Sequence, residues 1–192
     1  MGITIHYQGK IKSPQLLPQL IEEVRDIAEE NKWKYHIFES ELPEEGFDKD
    51  SFEDELYGIT FTPPECEMVD FTFLSSGKLC SVVGKIYFED EQNDIFIEWN
   101  SVKTQYAGPQ IHIILVHLLE HIATKYLTDF KVIDEGEYWE TRDEKLLGKK
   151  FDFLTGILRS MESNLEMIPK KPDEDLVEYI KRIMENVHKN KD

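Results

Sequence analysis

The sequence predicts an α+β fold with a mainly antiparallel sheet, two helices packed on one face and a C-terminal helical pair. Three observations favour this class. Short segments alternate apolar and polar residues with the period of two that strands require. Longer segments between them place apolar residues at helical spacing. Short turns join consecutive strand-like segments, as antiparallel neighbours allow.

The first part of the chain has the order strand, helix, strand. Residues 2–12 alternate as a strand does. Ser13 can cap a helix that Pro14 opens. We expect Asn31 to end this helix in the left-handed conformation, and residues 33–38 to form the next strand.

The middle of the chain is strand-like after an acidic segment. Residues 40–55 are rich in Asp and Glu and lack periodicity, which indicates a solvated loop. Four strand signals follow at 57–62, 68–74, 79–88 and 95–102. Together they predict an antiparallel meander.

A buried helix is predicted over residues 111–127. Gly108 and Pro109 mark its start, and apolar residues cover most of its circumference. It is too short and too often interrupted by polar residues to cross a membrane. Residues 130–134 then read as a strand that returns along the helix.

The C-terminal part is helical. Asp143 can cap one helix and Asp173 the last one, with a Pro-Lys-Lys-Pro linker between them. We expect one α+β domain over 1–166, and over 167–192 a linker and a C-terminal helix packed on that domain. The element order is compatible with a helix-grip, a TATA-box-binding-protein-like or a decorated ferredoxin-like arrangement. It does not determine the strand order in the sheet or the function.

Charge and composition limit the class of partner. The formal net charge is -17 and the isoelectric point about 4.7. We therefore expect neither nucleic acid nor an anionic membrane surface as a partner. A basic protein or cationic ligand remains open, as does a role of the charge in solubility alone. Without a signal-peptide pattern, a disulfide framework or a cofactor motif, we expect a cytoplasmic protein with no cofactor.

Two polar segments are predicted to meet at one end of the buried helix. A helix of this length spans roughly 25 Å, and the strand after it returns most of that distance at about 3.3 Å per residue. Segment 135–143 should therefore end near segment 103–112. A site there would take a ligand with an anionic or hydrogen-bonding group and a planar part. The alternative is a salt-bridged loop pair that closes the core. The candidate ligand-binding residues are Lys103, Gln105, His112, Glu135, Tyr138, Trp139 and Glu140.

The helix also contains the spacing His-x-x-Glu-His, which occurs in a class of zinc proteases. His117, Glu120 and His121 share one stripe of the helix. This stripe is the polar edge of an otherwise apolar helix, where polar residues would lie in any case. We therefore expect no metal, and these residues remain only weak metal candidates.

Two stretches resemble those of small uncharacterised bacterial proteins of similar length. They are Val-Lys-Thr-Gln-Tyr-Ala-Gly-Pro-Gln-Ile-His at 102–112 and Asp-Glu-Gly-Glu-Tyr-Trp-Glu-Thr at 134–141. The likeness mainly covers residues 95–160. It implies no catalytic residue, and it favours the same two segments as the site.

We expect a binding or interaction module whose polar site is formed by segments 103–112 and 135–143. The alternative is a small metal-dependent hydrolase that uses the helix histidines. A third possibility is an acidic inhibitor that neutralises a basic partner through residues 40–55. The catalytic residues are unknown, and the sequence leaves open whether the protein is an enzyme.

Overall fold

The computed structural model describes residues 2–45, 47, 55–88, 97–167 and 169–189, and for 160–167 and 184–189 it describes the backbone alone. Residues 1–148 form one compact unit and residues 149–192 another. The first unit contains all the described strands. The domain boundary near residue 166 stays a prediction.

Six strands and six helices make up the described fold, which confirms the α+β class. The strands are β1 (Thr4–Ile11), β2 (Lys34–Ile37), β3 (Tyr57–Thr62), β4 (Val69–Phe73), β5 (Asn100–Lys103) and β6 (Leu127–Asp134). The helices are α1 (Leu17–Glu30), α2 (Val82–Phe88), α3 (Pro109–Tyr126), α4 (Tyr138–Thr141), α5 (Glu144–Met167) and α6 (Leu176–Lys189), and a 3-10 turn (Pro14–Leu16) precedes α1.

The strands form two antiparallel sheets of three. The first has the order β5-β1-β6, and its register places Ile5 opposite Asp134. The second has the order β2-β3-β4, with Thr60 opposite Asp70. Helix α1 contacts β2 and β3, whereas α3 contacts β6. This strand order could not be predicted from the sequence.

The apolar faces carry the core. In the second sheet, Phe61 stacks on Trp33 with ring centroids 5.5 Å apart and lies 6.2 Å from the Phe71 ring. In α3, one face is buried while the other side reaches the surface, where Ile114 is 43% exposed. The buried residues of α3 are His112, Leu115, Val116, Leu118, Leu119, Ile122 and Tyr126.

The predicted strand at 79–88 is wrong, because Val82–Phe88 is a helix. Its run of β-branched and aromatic residues favours a strand by propensity. The Ser81 hydroxyl instead accepts a hydrogen bond from the Gly84 amide at 3.1 Å, as a helix N-cap does. The next strand is shorter than predicted and starts only at Asn100. Residues 95 and 96 of that prediction lie outside the described residues, as do 46 and 48–54 of the acidic segment.

Two predicted helix ends also need correction. Asn31 is right-handed with φ at -87°, and the left-handed residue is Lys32 with φ at 57°. The last helix is capped by Asp175 and not by Asp173, because Asp175 Oδ1 accepts the Glu178 amide at 2.8 Å. The predicted Asp143 cap is confirmed, since its Oδ1 accepts amides from the first turn of α5.

The net negative charge lies entirely in the first unit. Residues 149–192 contain nine Lys or Arg and nine Asp or Glu, so the whole net charge of -17 belongs to residues 1–148. Among the described helices, none has both the length and the apolar content needed to cross a bilayer.

We expect Leu119→Ala to destabilise the protein by about 2–5 kcal/mol, because Leu119 is buried and its loss leaves a cavity. The matched control is Ile114→Ala on the exposed side of the same helix, which should cost less than about 1 kcal/mol. Urea unfolding of both variants measures the difference. Equal losses would contradict the central position of this face of α3.

Candidate functional site

The candidate site is organised around the buried carboxylate of Asp134, the last residue of β6. The His112 Nε2 atom lies 3.1 Å from its Oδ1 and 3.2 Å from its Oδ2. The Gly136 amide donates to Oδ1 at 2.7 Å, and the Trp139 amide donates to Oδ2 at 2.9 Å. One side chain therefore binds the start of α3 and the segment after β6 at the same time.

The other side of the His112 ring is also occupied. Its Nδ1 lies 2.8 Å from the Thr104 hydroxyl, which donates to the Ile3 carbonyl at 3.3 Å. Burial alone would raise the pKa of Asp134. The hydrogen bond and charge of His112 and the amides of Trp139 and Gly136 outweigh burial, so the pKa lies below its ordinary value. Asp134 therefore remains ionised at neutral pH.

Thr104, His112 and Asp134 follow the hydroxyl–imidazole–carboxylate order of a nucleophilic triad. A nucleophile must reach its substrate, but the Thr104 side chain is fully buried. Its hydroxyl oxygen lies within hydrogen-bond distance of the Ile3 carbonyl and of the His112 ring, both inside the protein. The geometry therefore supports a structural role for this buried set, in which hydrogen bonds join two segments.

Helix α4 is a single turn held in a fixed place by this carboxylate. The residues at its two ends, Glu137 and Arg142, are both left-handed, with φ at 61° and 54°. Such a backbone is uncommon outside glycine and persists where its surroundings impose it. Gly136 is required by crowding, because a Cβ there would lie 2.7 Å from His112 Nε2 and 2.9 Å from Asp134 Oδ1.

Aromatic and charged side chains of α4 and Arg142 pack together beside α3. The Arg142 guanidinium lies over the Trp139 ring at 5.4 Å and over the Tyr138 ring at 5.8 Å. Its Nη2 pairs with Glu120 of α3 at 2.8 Å. The Tyr138 hydroxyl lies 3.4 Å from His117 Nε2. These contacts fix α4 against the middle of α3 and leave Glu140 exposed.

Three of the predicted ligand-binding residues lie around the start of β1. A side chain at Gly2 would meet Gln105 Oε1 at 2.9 Å and Lys103 Cε at 3.3 Å. From the β6 side, Glu135 Oε2 accepts the Thr4 amide at 3.0 Å. Lys103 and Gln105 are half-buried.

The structure brings the predicted residues together in two groups. Lys103, Gln105 and Glu135 surround the start of β1, and Tyr138, Trp139 and Glu140 belong to α4. His112 is buried, its ring is hydrogen-bonded to Asp134, and it lies where a side chain at residue 136 would be. Among the described residues, no hydrogen bond or ion pair links Lys103 or Gln105 to the side chains of α4. A role of any of them in binding a ligand stays a prediction.

The three metal candidates of α3, His117, Glu120 and His121, each contact a different side chain. His117 contacts Tyr138, and Glu120 pairs with Arg142. His121 Nε2 instead lies 2.5 Å from Glu23 of α1. Across the described part of the chain, no group of three or more His, Cys, Asp or Glu side chains is placed to hold a metal ion.

An open groove of about 480 Å³ is lined by residues of α1 and by the end of α3. Its lining comprises Gln19, Glu22, Glu23, Asp26, Ile27, Glu30, Lys125 and Tyr126. Burial opposes ionisation of Glu23, but hydrogen bonds from Lys125, Tyr126 and His121 lower its pKa to about 2. Glu23 therefore links α1 to α3, and its carboxylate is already occupied.

A second polar region was missed by sequence reasoning. Thr60 and Asp70 are opposite each other in the second sheet, and Thr72 lies two residues along, so all three share one face. All three are buried. Their alternation with apolar residues is typical of a solvated face. The start of α2 lies over this face, where the Val82 amide donates to Asp70 Oδ2 at 3.3 Å.

Comparisons with protein-family models, with curated proteins and with solved structures find no match to this chain.

We expect Asp134→Asn to destabilise the protein by about 3–5 kcal/mol near pH 7, because it removes a buried carboxylate that is hydrogen-bonded to the His112 ring and to the Gly136 and Trp139 amides. The pKa of Asp134 is lowered in the folded state, so its contribution is present above its ordinary value of about 3.9 and is lost as the pH falls through the folded value. Urea unfolding of both proteins between about pH 7 and pH 2 should show the difference shrink in acid.

Asp129→Asn is the matched control for this prediction. Asp129 is an exposed carboxylate on the same strand, and its positive φ of 53° is one that asparagine tolerates. This variant should stay within about 0.5 kcal/mol of the natural protein. If the two asparagine variants lose the same stability, Asp134 is not the organising group.

We also expect purified protein to contain no stoichiometric zinc, since His117, Glu120 and His121 have separate partners. Elemental analysis after dialysis measures it. Zinc near one equivalent that disappears in His117→Ala would contradict this expectation.

Proposed function

We propose that the protein is a binding module whose contact surface is formed by segments 103–112 and 135–143. The observation that carries the proposal is the buried Asp134 carboxylate, which bonds to His112 in one segment and to the Gly136 and Trp139 amides in the other. Segments fixed before binding lose little conformational entropy when a partner arrives. Such rigidity is useful in a recognition surface.

The Asp134 carboxylate, the His112 ring and the Gly136 and Trp139 amides form a buried polar hub. The exposed groups around this hub suggest the class of partner. Tyr106 in the first segment is 65% exposed, and Glu140 is exposed on α4 beside Trp139 and Arg142. Aromatic and arginine side chains are enriched where proteins contact one another. The net charge of -17 attracts cationic partners and repels nucleic acid. Lys103 lies beside the start of β1, and the exposed charge on α4 is that of Glu140. In place of the anionic, planar ligand expected from the sequence, we therefore propose a protein or peptide that presents basic side chains next to an apolar group.

Binding is better supported than catalysis at this site. The imidazole and the hydroxyl that chemistry would need are buried and engaged with protein groups. Cys66 and Cys80 are not joined in a disulfide, as expected in a reducing compartment, and we propose that the protein is cytoplasmic.

A random peptide library selected on the natural protein tests this proposal. Peptides enriched on it should contain Lys or Arg and should lose roughly tenfold in affinity for Trp139→Ala and for Glu140→Lys. Fluorescence anisotropy of a labelled enriched peptide measures the loss. The Trp139 side chain does not make the bond to Asp134, which comes from its amide, so the hub persists in the alanine variant.

Glu30→Lys is the matched control, because it makes the same charge change at an exposed position of α1. It should weaken binding only by reducing the long-range electrostatic attraction between the acidic protein and a basic peptide, and salt screens this attraction. The proposal fails if no peptide is enriched. It also fails if Trp139→Ala and Glu140→Lys bind enriched peptides as tightly as Glu30→Lys does.

A further inference from the structure

The buried polar face of the second sheet contains a carboxylate oxygen with no protein partner. Asp70 is only 5% exposed, and its Oδ1 atom is buried without a hydrogen bond. Its other oxygen, Oδ2, accepts the Val82 amide at 3.3 Å. Leaving a buried polar atom unsatisfied is costly, and the cost is larger for a charged one.

Two threonines share the face of the sheet that carries the Asp70 side chain. Thr60 is directly opposite Asp70 on β3, and side chains in such pairs start from Cβ atoms about 4.5–5.5 Å apart. Thr72 follows on the same face of β4, where its hydroxyl donates to the Cys80 carbonyl at 2.5 Å. One carboxylate and neutral hydroxyls therefore occupy the same covered face.

We propose that this face binds one monovalent cation, with Asp70 Oδ1 as its anionic ligand and the Thr60 hydroxyl as a neutral one. A single carboxylate supplies one negative charge, which a monovalent ion balances. Divalent ions take more carboxylates, and transition metals prefer imidazole or thiolate ligands. No group of three such side chains is present among the described residues. Potassium and ammonium share the required chemistry.

None of the other charged and titratable groups described near Asp70 is bonded to its Oδ1 atom. The Tyr7 hydroxyl bonds to the Asp70 backbone and not to its carboxylate. Lys85 is buried in α2 and has an interaction of its own, and no described ion pair joins it to Asp70. His36 lies across Thr60 on the same face and is exposed. Burial raises the pKa of Asp70 to about 7, with the Val82 amide opposing it, so a proton competes with the cation.

The test is thermal unfolding of the full chain at about pH 8.5, where Asp70 is largely ionised. Chloride salts of tetramethylammonium, sodium, potassium and ammonium are compared at equal ionic strength. Potassium or ammonium should raise the folding equilibrium constant in a saturable way, by about elevenfold at ten times the dissociation constant. The effect should disappear near pH 5, where a proton occupies Asp70, and tetramethylammonium should have none.

Asp70→Asn should abolish the response, and Thr60→Val should weaken it, whereas the exposed Asp129→Asn should keep it. If Asp70→Asn does not fold, a bound ¹⁵N-ammonium resonance with NOEs to the Thr60 and Thr72 methyl groups replaces it. The relative effects of potassium and ammonium identify the ion. Identical unfolding in all four salts, or an undiminished response in a folded Asp70→Asn protein, would overturn the proposal. If Asp70→Asn does not fold, the absence of a bound ¹⁵N-ammonium resonance with an NOE to the Thr60 methyl group would also overturn it.

Discussion

A buried carboxylate constrains its neighbourhood more than any apolar contact does, because every hydrogen bond that water would have made must come from the protein. Asp134 meets this requirement with the His112 ring and the Gly136 and Trp139 amides. The arrangement dictates where α3 begins relative to β6 and why no side chain fits at residue 136. It also supports the two left-handed residues that bound α4. The local backbone is thus a consequence of satisfying one charge.

This constraint separates the inside of the candidate site from its outside. Thr104 and His112 could take part in catalysis by residue type, but their side chains are engaged in the hydrogen bonds that join the two segments. The groups at the surface, Trp139, Arg142 and Glu140, are suited to contact and not to chemistry. A binding surface supported by a buried polar hub follows the general requirement that recognition residues rest on a rigid second layer.

Sequence reasoning predicted the meeting of the two segments from lengths alone, since α3 and β6 nearly match. It could not predict which side chains turn inward, and His112, one of the candidate ligand-binding residues, is fully buried. Periodicity shows which residues share a face, but not whether another element covers that face. The alternation around Asp70, for example, is typical of a solvated face, whereas α2 covers it. In α2, the β-branched and aromatic residues favoured a strand, and the N-cap at Ser81 that indicates a helix was overlooked.

Amide hydrogen exchange followed by NMR tests most directly whether the two segments form one unit. The amides of Thr104 and His112 report on the first segment, and those of Gly136 and Trp139 report on the second. If Asp134 holds them together, all four should open with one free energy, and Asp134→Asn should lower that value equally at each. Rapid, unprotected exchange at Gly136 and Trp139 beside a protected first segment would contradict the account.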